Sequence, residues 1–139
     1  MMTEPSEKRA VRLVDSITEL GPSDAGCIAI SGSHGGLSSA RYALAAQPRL
    51  SVFNDAGVGK DGAGIAGLHL LQQAGLAALA VSNSSACIGL AESSWREGVV
   101  SHLNAAAADL GFVAGRALAP QIEALAERDQ SARRTGGPS

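Results

Sequence analysis

An α/β domain built on a mainly parallel sheet is the fold that the sequence predicts, and three observations predict it. Residues 27–31, 50–54 and 76–82 are short runs of Ile, Val, Leu, Phe and Ala with little polar alternation, as strands buried on both faces require. The first two runs are each followed by a glycine-rich turn and then by apolar residues at helical spacing. Strands alternating with helices imply right-handed crossovers that cover the sheet with helices.

Composition sets the scale. The chain has 139 residues, enough for one modest core and too few for two, so a single domain over residues 10–130 is expected. Residues 1–9 read as a frayed start and 131–139 as a disordered tail. A hydrophobic share of 45% against 17% charged residues is globular, and 17 glycines point to tight loops. Trp95, Tyr42, Phe53 and Phe112 are the only aromatics, so close packing of small aliphatic side chains must form the core. A formal charge of −2, with no basic cluster beyond Arg133-Arg134, argues against nucleic acid as a partner. No apolar run reaches the roughly 18 to 20 residues of a membrane span, and the N-terminal residues lack the apolar stretch of a signal peptide, which makes the cytoplasm the expected compartment. There Cys27 and Cys87 are expected to be thiols, and no metal-spaced Cys/His set or cofactor motif is found.

Taken in order, residues 10–20 fit both a helix and a strand, and 21–26 form a turn. The strand at 27–31 ends at Gly35-Gly36, and Leu37, Ala40 and Leu44 mark a helix that stops near Pro48. After the strand at 50–54 comes a glycine-rich loop, 55–64, then a helix with Ile65, Leu68 and Leu71 inward, then the strand at 76–82. Residues 83–98 read as a loop. Val99-Val100 is expected to lead into a helix N-capped by Ser101, with Leu103, Ala107 and Leu110 inward, and a last helix follows Pro120. The sum is a small Rossmann-like, doubly wound three-layer domain with a mainly parallel sheet of about four strands.

Ligands of such sheets bind outside the carboxyl ends of the strands. Polar clusters stand at the strand ends here: Ser31 to His34, then Asn54-Asp55 with Lys60-Asp61 beyond, and Ser82-Asn83-Ser84-Ser85. Within the first, Ser31-Gly32-Ser33-His34-Gly35 is a small-x-Ser-x-small segment between a strand and a helix, and locally it resembles the nucleophile elbow of the α/β-hydrolases. The likeness covers Ile28 to Ala43 and the next strand, has Ser31 where that family usually has Gly, and assigns no family. It implies Ser33 as nucleophile, with the N–H groups of His34 and Gly35 as oxyanion donors. The same glycines also suit a turn whose amides receive an anion, or a plain structural turn in which Ser33 caps the helix.

The loop from Asn54 to Gly64 departs from the Walker pattern at Asn54 and Asp61, and its glycines miss the dinucleotide spacing. It retains a carboxylate, Asp55, at a strand end, and the pair Lys60 and Asp61. His34 followed much later by Ser-Ala-Cys87 has a local similarity to the His/Cys dyad of caspase-like peptidases, which implies a cysteine-dependent alternative. His69 reads as a helix residue, while His102 is a second candidate base for Ser33.

The expected function is therefore a hydrolase or acyl-transfer enzyme acting on a small polar, anionic metabolite. Ser33 attacks, His34 or His102 takes its proton, and Asp55 orients that base; Ser31, Gly35, Gly36, Asn54, Lys60, Asp61, Asn83, Ser84 and Ser85 bind the ligand. The rival reading is a non-catalytic binding or assembly protein for a phosphate- or carboxylate-bearing ligand. So small a sheet with alanine-lined helices is also expected to form homo-oligomers.

Overall fold

The structure, a computed structural model, describes residues 11–135. One sheet contains β1 (Val11–Val14), β2 (Ile28–His34), β3 (Leu50–Asn54), β4 (Ala77–Val81) and β5 (Val100–Leu103), side by side in chain order. Strands β1 to β4 are parallel, and β5 is antiparallel to β4. The helices are α1 (Leu37–Ala46), α2 (Ala66–Gln73), α3 (Ala91–Glu97), α4 (Ala105–Asp109) and α5 (Leu118–Thr135). This is the small Rossmann-like three-layer arrangement.

Why the strands are apolar throughout is plain from their two faces. Every residue of β3 and β4 is buried. Alternation sends Ile28, Ile30, Leu50, Val52, Leu79 and Val81 to one face, where α5 supplies Leu118, Ile122 and Leu125. Ala29, Phe53 and Ala78 point the other way, against Ala40 and Ala43 of α1 and Leu68 and Leu71 of α2. Alanine on both sides of that contact lets helices approach the sheet closely, and Phe53, fully buried, fills the remaining space. Arg49 fastens the start of β3 to α5 by a forked pair of 2.6 Å hydrogen bonds to Asp129.

The architecture differs from the sequence reading in five places. Of the stretch 10–20, undecided from sequence, residues 11–20 supply β1 and a short 3-10 turn at Ile17–Glu19. The sheet has a fifth strand: Ser101 and His102 lie on β5, and the helix that follows is N-capped by Asn104, which accepts the Ala107 N–H at 2.9 Å. The reading of Ser101 as N-cap is thereby corrected. Its apolar spacing, Leu103 to Ala107 to Leu110, ran across a strand–helix junction. Residues 91–97, read as loop, form α3, whose first N–H, of Ala91, is capped from afar by Asp15 at 2.9 Å. Among the described residues the strand order also runs 1-2-3-4-5 without reversing, which leaves no crevice there at a topological switch point. Finally, α5 continues to Thr135, into the stretch read as a tail. The expected fray at 1–9 and the end of that tail, 136–139, lie outside the described residues. Among the described residues no helix is long and apolar enough to cross a membrane.

Candidate functional site at the strand ends

Four parallel strands place their carboxyl ends on one edge, and antiparallel β5 brings its first residues to the same edge. The residues from Ser31 to Gly36, Asn54-Asp55, 82–85 and Ser101-His102 therefore share it.

The end of β2 is a bulged strand rather than a strand-to-helix turn: between the pairs Ile30–Val52 and His34–Asn54, Ser31, Gly32 and Ser33 stand opposite Phe53 alone. Ser31 is buried and donates to the Val52 carbonyl at 2.7 Å. The Oγ of Ser33, inside β2, accepts the Ile17 N–H at 2.9 Å, and α1 begins only after Gly36. Ser33 thus neither caps the helix nor stands at an elbow. Gly35 N–H is spent on the Asn54 carbonyl at 3.0 Å, so the expected oxyanion donor pair is incomplete. Gly36 N–H donates to Nδ1 of its neighbour His34 at 3.0 Å. A Cβ at Gly36 would stand 2.8 Å from that nitrogen and 3.0 Å from the Ala63 carbonyl oxygen, so a side chain there would push the ring aside. His102 does not meet Ser33 either: β2 and β5 are separated by β3 and β4, about 14 Å at a strand spacing of about 4.8 Å.

What the fold does bring together is Asp55, Ser101 and His102. Asp55 is only 5% exposed. Its Oδ1 accepts the N–H groups of Gly57 at 2.8 Å and Asn83 at 2.9 Å, and its Oδ2 accepts the Ser101 hydroxyl at 2.8 Å. His102 Nδ1 lies 3.1 Å from Ser101 Oγ and 3.9 Å from Asp55 Oδ2. Burial pushes the Asp55 carboxyl up, but the hydrogen bonds from Gly57, Ser101 and Asn83 and the nearby His102 outweigh it and hold the group below its ordinary value. Ser101 reaches Asp55 because it is the extra residue of a β-bulge: Ala80 pairs with His102 and Val81 with Val100, leaving Ser101 unpaired between them.

The other predicted ligands hold loops. Asn54, fully buried, donates to the Ala86 carbonyl and accepts the Ala56 N–H. Ser82 and Ser85 bond each other, and Ser85 Oγ accepts the Val99 N–H, while Ser84 and Asn83 are exposed on the same turn. Lys60 and Asp61 are exposed on a 3-10 turn. His69 is exposed on α2 beside Gln73.

Between the end of β2 and the 55–64 loop lies a cleft of about 320 Å³ lined by His34, Ala56, Val58, Gly59, Ala63, Gly64 and Ile88. Ala56 and Val58 have φ of 52° and 70°. The left-handed region is costly for a β-branched residue, so a strained backbone forms one wall of the cleft. Sequence flagged this loop by its glycines but had no signal for Val58 or Ile88. A larger hollow of about 390 Å³ between residues 110–117 and α5 contains none of the strand-end residues. Among the described residues no three His, Cys, Asp or Glu side chains converge as metal ligands.

Both cysteines are free, Cys27 buried and Cys87 exposed. Burial, chiefly, raises the Cys27 thiol to about 11. Iodoacetamide is therefore expected to modify Cys87 in the folded protein and Cys27 only after unfolding, as mass spectrometry of the two peptides will show.

Comparison of the chain with protein-family models, with curated proteins and with solved structures returns no match.

Proposed function

We propose that the strand-edge cleft binds a small polar metabolite carrying a carboxylate or phosphate, with His34 as the donor that meets the anion. The observation that carries this reading is the Gly36 N–H bonded to His34 Nδ1 at 3.0 Å. A neutral imidazole has one lone pair and one N–H; with Nδ1 accepting, the proton is assigned to Nε2. His34 lines the cleft and so offers it a donor rather than a base. Lys60 adds positive charge on the loop that forms the opposite wall, and Ala56 and Val58 hold that wall in a preset shape.

Hydrolysis through Ser33 has less support, because its oxygen is bonded to the Ile17 amide and the lone pair of neighbouring His34 is engaged. A His34/Cys87 dyad meets the same objection. Thermal denaturation in inorganic phosphate, succinate and malonate tests the binding reading. At a ligand concentration of 100 Kd the gain is about 2.7 kcal/mol, a shift of several degrees. His34→Ala is expected to abolish it, and His34→Gln, which keeps an N–H donor near the Nε2 position, to keep part. No shift with any of the three anions overturns the reading.

A further inference from the structure

We propose that His102 is the proton acceptor of a hydrolytic site, held in its Nδ1–H tautomer by Asp55 acting through the Ser101 hydroxyl. Ser101 Oγ has one hydrogen and two acceptors in reach, Asp55 Oδ2 at 2.8 Å and the Ala80 carbonyl at 3.3 Å. The carboxylate is the nearer and charged partner and takes it. The contact of Ser101 Oγ with His102 Nδ1 at 3.1 Å must then be donated by the ring. A neutral ring with its proton on Nδ1 has a bare lone pair on Nε2. The two histidines of this sheet edge are thus held in opposite tautomers, His34 as donor and His102 as base.

The bulge at Ser101 interrupts the β4–β5 ladder, and its product is the aim of one hydroxyl at Asp55. The Asp55 carboxylate lies 3.9 Å from His102 Nδ1 and compensates an imidazolium formed there. The His102 side chain is 37% exposed, open enough to receive water and substrate.

The substrate class is a carboxylate-bearing ester with a chain long enough to reach along the sheet edge from an anion at His34 on β2 to His102 on β5, which rests on the anion-binding reading. As a water oxygen bonds to the acyl carbon, its proton passes to Nε2 of His102. The imidazolium returns that proton to the leaving alkoxide as the acyl C–O bond breaks, releasing acid and alcohol. Ser101 and Asp55 are positioning residues.

Two measurements on the full chain test this. A long-range proton–nitrogen correlation spectrum, recorded above the ordinary imidazole range, is expected to show His102 protonated at Nδ1. Ser101→Ala should release it toward the Nε2–H form, and Ser101→Thr, which keeps the hydroxyl, should not. An Nε2–H tautomer in the wild type overturns the proposal. Hydrolysis of mono-p-nitrophenyl adipate, whose own carboxylate does not readily close on the ester, is expected to fall about 100-fold or more in His102→Ala and about tenfold in Ser101→Ala, a general-base effect. Wild type turning over no faster than His102→Ala overturns it equally. Stabilisation by phosphate should survive in both variants, so loss of phosphate binding with His102-dependent turnover intact would remove the binding reading and leave this one standing.

Discussion

Replacing Asp55 by Ala is expected to cost about 3 kcal/mol or more of folding stability, because one carboxylate satisfies donors from three separate segments. Gly57 N–H belongs to the loop after β3, Asn83 N–H to the turn after β4, and Ser101 to β5. Each donor left without an acceptor costs about 1–3 kcal/mol, less where water can reach it, as it can at exposed Gly57 and Asn83. Asp55→Asn keeps one acceptor oxygen and should cost less. The pH dependence has a definite sign. The folded carboxyl titrates below its unfolded value, so its contribution is complete above the unfolded pKa of about 3.9 and is lost as pH falls through the lower folded value. Urea midpoints for wild type and Asp55→Asn are therefore expected to differ most near neutrality and to converge below about pH 4. A difference that persists unchanged in acid would show that the charge of Asp55 is irrelevant.

That expectation depends on a cluster only half visible in the sequence. Asp55 could be placed at a strand end because β3 is buried on both faces and ends in Asn-Asp. Its partner Ser101 was out of reach, since β5 shows two valines and then Ser-His, too little apolar signal to separate an edge strand from the start of a helix. An edge strand is paired on one side and half exposed, so its sequence is not compelled to be apolar. Helix α3 was hidden for a related reason: it buries Ala91 and Ser94, small residues without hydrophobic periodicity, and its cap comes from Asp15, just past the end of β1. The central strands were legible because burial on both faces leaves a mark at every residue. The glycines around His34 were legible as a turn, but whether Ser33 or the amides were free depended on bonds to Ile17 and Asn54, which only the fold supplies.

The same loop supplies the second large effect. Gly64→Ala is expected to destabilise the protein by about 3 kcal/mol, at the upper end of the cost of overpacking. An added Cβ would stand 2.2 Å from the Asp55 carbonyl oxygen and 3.1 Å from that of Val58, both backbone atoms that cannot turn aside. Relief requires the chain to move where Gly64 N–H meets the Val58 carbonyl at 2.7 Å, the bond that closes the loop. Gly64 and Val58 both line the cleft, so the variant should also lose stabilisation by phosphate. Gly57→Ala in the same loop is the control. Its φ of 74° makes alanine strained by about 1–2 kcal/mol, but nothing lies within 4 Å of the new methyl group and the loop can keep its closure. Thermal denaturation of both variants with and without phosphate separates the two costs. Gly64→Ala should lose stability and binding together, whereas Gly57→Ala should lose some stability and keep the phosphate shift. Equal behaviour of the two would mean that closure of the 55–64 loop does not shape the cleft.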